Sequence, residues 1–208
     1  MREIVFIDID TQFDFIMPQG KLYVKGAKEL IPDFRLLTQL ALKNDILIIS
    51  SVDTHLKNDP EFKQFPSHCV KGSPGQKKIP ETLLKRHILL PGKILNRGEL
   101  FSRIKSYKQL IVEKDNVDTF MDLNILRILK PFKIAFVYGL ALDYCVKAAV
   151  LDLLKAGLKI NLVVDATRAI DHKGGKLLLA QFKKSSVQLI KTKDVLSEIK
   201  KYERSAPT

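Results

Sequence analysis

The chain has 208 residues, 46% of them hydrophobic, which supports a substantial core within one domain and excludes a disordered chain. Lys+Arg number 35 against 23 Asp+Glu, a net charge of +12, but the basic residues are scattered and form no arginine-rich or aromatic-interleaved block. A solvated surface without a specific nucleic-acid face is therefore expected. Met1-Arg-Glu leads straight into an apolar stretch, so no signal peptide is expected, and no apolar run reaches membrane-spanning length. Two cysteines, Cys69 and Cys145, make no disulfide framework, and a reducing cytoplasm is the expected setting.

Taken in order, the chain alternates strand and helix. Glu3–Asp8 reads as a first strand ending in the carboxylate-rich turn Asp8–Asp14, and Leu30, Ile31, Phe34, Leu37 and Leu40 give residues 27–43 a helical period. Asp45–Ser50 is the second strand, opening into a loop at Ser51–His55. Residues 56–108 resist assignment, with Pro60, Pro66, Pro74, Pro80 and Pro91 interrupting short patterned pieces. Residues 76–108 are set aside as a lid, an oligomer contact or a substrate wall. Gln109–Glu113 is the third strand, with Lys114 directly after it. A helix near 121–129, a strand at 133–138 and a helix at 144–156 follow. Then come a strand at 159–164, a helix near 174–183, a strand at 186–190, a helix near 193–202 and a tail at 204–208 expected to fray. Six strands alternating with helices predict a three-layer α/β/α fold around a six-stranded parallel sheet, the whole chain forming one domain.

Reactive side chains collect where strands end: Asp10, Asp53, His55, Lys114 and Cys145. In open α/β sheets that carboxyl edge is where ligands bind. Cys145 falls in the first turn of a predicted helix with Asp143 as its N-cap, where the helix dipole favours a thiolate; the position suits a nucleophile or a buried, inert cysteine. Asp53-x-His55 with His68 offers a carboxylate and two imidazoles, which by spacing alone suits either a divalent metal or ordinary loop histidines. Cys69, beside His68, reads as structural.

Taken together, these residues resemble an isochorismatase-like cysteine hydrolase, most closely of the nicotinamidase (pyrazinamidase) branch. The resemblance rests on Ile9-Asp10-Thr-Gln12-Phe-Asp14-Phe15 with Pro18, Gly20, Leu22, Val24 and Gly26, and on Asp53-Thr-His55 with Phe65-Pro-Ser-His68 and Gly72-Ser-Pro74-Gly75. It continues through Lys114 with Asp118-Thr-Phe120, Gly139-Leu-Ala-Leu-Asp143-Tyr-Cys145-Val146, and a weaker echo in Val164-Asp165-Ala166-Thr-Arg168. It implies a triad of Asp10, Lys114 and Cys145, an oxyanion hole from the backbone N–H groups of Ala141 and Cys145, and a cis peptide at Leu140–Ala141. It also implies a divalent metal on Asp53, His55 and His68, zinc first and iron or manganese as alternatives. Asp59 or Glu61 stands where some members place a further ligand. Phe15 and Phe65 match rings that sandwich a planar substrate, and Leu142, where the family usually has threonine, removes a hydroxyl beside the nucleophile. The implied reaction is hydrolysis of nicotinamide or a similar small aromatic amide for NAD salvage, by a homo-oligomer. A ureido or carbamoyl substrate is the alternative, and isochorismate a more distant one.

Overall fold

Residues Ile4–Ile9 form β1, buried along its whole length because strands pair with it on both sides and helices cover both faces. The computed structural model describes residues 3–90, 94–114 and 123–205. β1 pairs in parallel with β2 (Leu47–Asp53) on one side and β5 (Ile134–Leu140) on the other. Beyond β2 lie β4 (Gln109–Lys114) and then β3 (His87–Leu89); beyond β5 lie β6 (Lys159–Arg168) and β7 (Val187–Ile190). The order β3-β4-β2-β1-β5-β6-β7 gives seven strands, one more than the sequence predicts. The extra strand is β3, whose three residues are too few to show a period and lie within the proline-interrupted stretch. Residues 76–108, set aside as a lid or wall, thus contribute a sheet edge and the helix α3 (Arg97–Ile104).

Alternation along each strand divides the core in two. Val5, Ile7, Ile49 and Val137 point to one face, where they pack with Leu100 of α3, Ile128 of α4 (Leu123–Leu129), Leu153 of α5 (Lys147–Lys155) and Phe182 of α6 (His172–Lys184). Ile4, Phe6, Ile48, Phe136 and Tyr138 point to the other, against Phe34 and Leu37 of α2 (Ile31–Lys43) and Ile199 of α7 (Val195–Ser205). A four-residue helix, α1 (Phe13–Ile16), follows β1. The three layers agree with the expected fold. The start of the helix expected near 121–129, the motif Asp118–Phe120 and the last residues of the tail lie outside the described residues. Among the described residues no helix is long and apolar enough to cross a membrane.

Strand order reverses at β1, since the chain builds outward through β2 and later returns through β5. A crevice opens at the carboxyl ends of strands at such a point. Gly139 makes the close approach of β5 to β1 possible: its φ is 119°, and a Cβ there would run into the carbonyl oxygen of Ile9. Gly139→Ala is expected to cost about 2–3 kcal/mol and lower the melting temperature by roughly 4–12 °C, read by thermal denaturation followed by circular dichroism.

Candidate active site

Three strand ends bring the candidate residues together. After β1 the chain turns at Asp10 with φ of 47°, a left-handed conformation that a residue with a Cβ adopts only when its surroundings impose it. Here they do: the Asp10 N–H donates to the Ser51 carbonyl at 3.2 Å, and the Ser51 hydroxyl donates to Asp10 Oδ1 at 2.7 Å. Asp53 closes β2, and Lys114 stands opposite it in register at the end of β4. β5 ends in a cis peptide at Leu140–Ala141, as expected from the resemblance, and Leu142–Val146 then forms a π-helical turn that carries Cys145 into α5. Such turns recur at functional sites because they re-aim a side chain.

Lys114 gathers the site. Its Nζ lies 2.9 Å from Asp10 Oδ2, 3.4 Å from Cys145 Sγ, and in contact with Asp53 Oδ1. The side chains of Lys114, Asp10 and Asp53 are 4%, 0% and 7% exposed, so water screens none of these interactions well. Burial opposes the charge on Lys114, but Asp10 and Asp53 outweigh it and keep its pKa well above the ordinary lysine value. Burial pushes Asp10 up, with Lys114 opposing and Asp53 adding to the rise. Asp53 goes the other way: burial is outweighed by Lys114 and His55, and its pKa falls to about 2. Two carboxylates beside one ammonium are thereby driven apart, one toward a proton acceptor and one toward a permanent anion.

The Cys145 thiol does not meet the expectation of a lowered pKa. Burial pushes it well up, Lys114 opposes that, and Asp10 and Asp53 reinforce it. Activation therefore falls to neighbouring groups, Lys114 being the one that favours the thiolate. Nor does Asp143 cap that helix: Ala141 occupies the cap position, and the Asp143 carboxylate accepts N–H bonds from Ile170 (3.0 Å) and Asp171 (2.8 Å), tying the nucleophile turn to the start of α6.

The other half of the site adjoins the same carboxylate. Asp53 Oδ2 lies 3.8 Å from His55 Nε2 and 3.9 Å from His68 Nε2, and all three residues are buried. Each ring is held by its far nitrogen: His55 Nδ1 pairs with Asp59 Oδ2 at 3.0 Å, and His68 Nδ1 with the Pro66 carbonyl at 2.8 Å. Asp53 first, then Asp59, hold the His55 pKa up at about 9 against its burial. His55 Nε2 is buried without a hydrogen-bond partner. An orphaned imidazole nitrogen, a second one beside it and a carboxylate oxygen at these separations fit one divalent ion with bonds of about 2.0–2.2 Å. Glu61 Oε1, 3.9 Å from His68 Nε2, is within reach as a further ligand, whereas Asp59 serves the outer nitrogen of His55.

Aromatic side chains surround the metal half. The Phe15 ring centroid lies 5.4 Å from that of His68, and Phe65 lies 6.4 Å from His68 and 5.6 Å from Tyr144. Leu142 joins the hydrophobic cluster beneath α5, against which Cys145 also packs, and faces Gly175 of α6. The Ala141 carbonyl accepts the N–H groups of Tyr144 and Val146, both at 3.1 Å, which fixes the backbone on either side of Cys145. Four residues of the site escaped the sequence reading as functional: Gln12, Ser51, Phe62 and Tyr144. Gln12 and Tyr144 carried a local signal, Gln12 within the motif after Asp10 and Tyr144 within the one around Cys145. The Gln12 side chain accepts the Asp53 N–H at 2.7 Å and donates to the Asp53 carbonyl at 2.8 Å, clamping that residue by its backbone. Phe62 stands edge-on to both metal-site imidazoles, with centroids 5.5 and 5.7 Å away.

Residues 96–194 match the model of the isochorismatase domain. The chain is 30% identical over 213 residues to the nicotinamidase of Acinetobacter baylyi, covering 91% of this chain and 93% of that protein. It is 33% identical to the nicotinamidase of Escherichia coli, covering 82% of this chain and 84% of that one. Among solved structures, the pyrazinamidase of Pyrococcus horikoshii in complex with zinc superposes with a TM-score of 0.73 at 25% identity, covering 91% and 99% of the two chains. For the present chain, Asp59→Ala, which frees the outer nitrogen of His55, is expected to weaken zinc binding by about 10–100-fold, measured by competition with a chromogenic chelator.

Proposed function

The chain belongs to the isochorismatase family, in its nicotinamidase branch, and from that premise we propose that it hydrolyses the amide of nicotinamide, or of a close aromatic amide, through a thioester on Cys145. It is an amidohydrolase. The observation that carries the mechanism is the position of Lys114 Nζ, in reach of Asp10, Asp53 and Cys145 at once.

Asp10, pushed up by burial, is the base that takes the Cys145 thiol proton. Lys114 stabilises the thiolate as it forms, offsetting the burial that otherwise keeps the thiol protonated. The sulfur attacks the amide carbon and forms a C–S bond, and the carbonyl oxygen becomes an anion received by the N–H groups of Ala141 and Cys145. As that intermediate collapses, Asp10 returns its proton to the amide nitrogen, the C–N bond breaks and ammonia leaves. Water then adds to the thioester with Asp10 as base; the C–S bond breaks, releasing the acid, and the thiol recovers its proton. Phe15 and Phe65 flank the ring of the substrate and hold its plane. A divalent ion on Asp53, His55 and His68, when bound, would offer its open positions to the ring nitrogen or to water and so orient the substrate. Zinc is the first candidate for that ion, because two imidazoles and a carboxylate suit it.

The test is ammonia release from nicotinamide by the purified protein, metal-replete and after chelation. Release is expected to fall on chelation and to return with added zinc, and Cys145→Ala is expected to lower it by at least about a thousandfold. Asp10→Asn, which keeps the shape and removes the base, is expected to cost about 10²–10⁴-fold in kcat with little change in KM. No release from metal-replete wild type would transfer the same thiol chemistry to a ureido or carbamoyl substrate.

A further inference from the structure

Asp53 is a single carboxylate set between two cation positions. Its Oδ1 contacts the Lys114 ammonium, and its Oδ2 faces His55 Nε2 and His68 Nε2 at 3.8 and 3.9 Å. Gln12 holds the backbone of Asp53 in place between them, through both its N–H and its carbonyl. Lys114 is shared in turn with Asp10 at 2.9 Å and with Cys145 Sγ at 3.4 Å. A carboxylate has one negative charge to divide, so a cation drawn to one oxygen weakens the attraction of the other oxygen for its own partner. In a site this well buried the trade is little screened by water.

We propose that Asp53 couples metal binding to the nucleophile: Lys114 weakens the grip of Asp53, His55 and His68 on a divalent ion, and an ion bound there releases Lys114 toward Asp10 and Cys145. The coupling rests on the reading of those three residues as the metal site. Linkage makes the two effects one free energy seen from two places, so each is measurable by itself. The consequence is a nucleophile made more reactive only when the site is loaded, which links thiol reactivity to the metal that positions the substrate.

The first readout is zinc affinity at pH 8, by chelator competition, for wild type, Lys114→Met and Lys114→Arg. Lys114→Met, which keeps the bulk and removes the charge, is expected to bind zinc about tenfold more tightly or better, whereas Lys114→Arg stays near wild type. The second needs no variant: alkylation of Cys145 in wild type by iodoacetamide, followed by mass spectrometry with and without zinc. Zinc is expected to speed it several-fold, and Cys69, fully buried, serves as the internal reference. Equal or weaker zinc binding by a folded Lys114→Met would overturn the coupling alone, and so would alkylation that zinc leaves unchanged or slows. Failure of wild type to bind zinc would overturn the metal reading and the coupling together. If Lys114→Met does not fold, the alkylation rates decide.

Discussion

A buried ammonium must find its own counter-charges, and Lys114 finds them in Asp10 and Asp53 at the end of the strand next to its own and the one beyond. Taking such groups out of water costs several kcal/mol each, and losing one partner of a buried pair typically costs about 3–5 kcal/mol. The parallel register of β2 and β4, which sets Asp53 opposite Lys114, is therefore as much an electrostatic requirement as a packing one. The same requirement separates the two carboxylates in proton affinity and leaves Asp10 as the acceptor.

Around this centre, a second tier of buried polar groups fixes the irregular segments. Asp8 accepts Lys78 Nζ at 2.8 Å, the Ser50 hydroxyl at 3.0 Å and the Thr11 hydroxyl at 2.8 Å, which fastens residues near 78 to the start of the catalytic turn. Asp14 accepts the Cys69 N–H at 2.8 Å and the Lys21 N–H at 3.0 Å, so the loop bearing His68 is tied to the helix after β1. Gly75 leaves the space for that carboxylate, since a Cβ there would strike it. Cys69 takes a left-handed φ of 45° under the same bond, and burial pushes its thiol far up, so it packs as an inert group. These contacts place functional side chains on rigid supports, which is what precise chemistry on loops demands.

The local chemistry of the chain was informative where a strand ended in a titratable residue. Asp10, Asp53, Lys114 and Cys145 all follow apolar β-prone runs, and each does lie at the carboxyl edge of the sheet. Leu142, three residues from Cys145, is buried in the core beside α6, surroundings that its neighbours in sequence do not reveal. Asp143 was read as a local cap, yet its partners are Ile170 and Asp171, on the far side of β6 in the sequence. β3 escaped notice because only the adjacent β4 makes it a strand.

What the sequence by itself determined is the alternation of strand and helix, and with it the side of the sheet on which reactive groups gather, because period and chain direction are local properties. Only the tertiary structure decided which groups meet. Asp53 becomes common to Lys114 and the two imidazoles through strand register, and Gln12 becomes its clamp across 41 residues of chain. The thiol's resting state was decided there too. A helix terminus favours thiolate wherever it occurs, but burial acts through everything packed around the sulfur, and here burial, with Asp10 and Asp53, pushes the thiol up against Lys114.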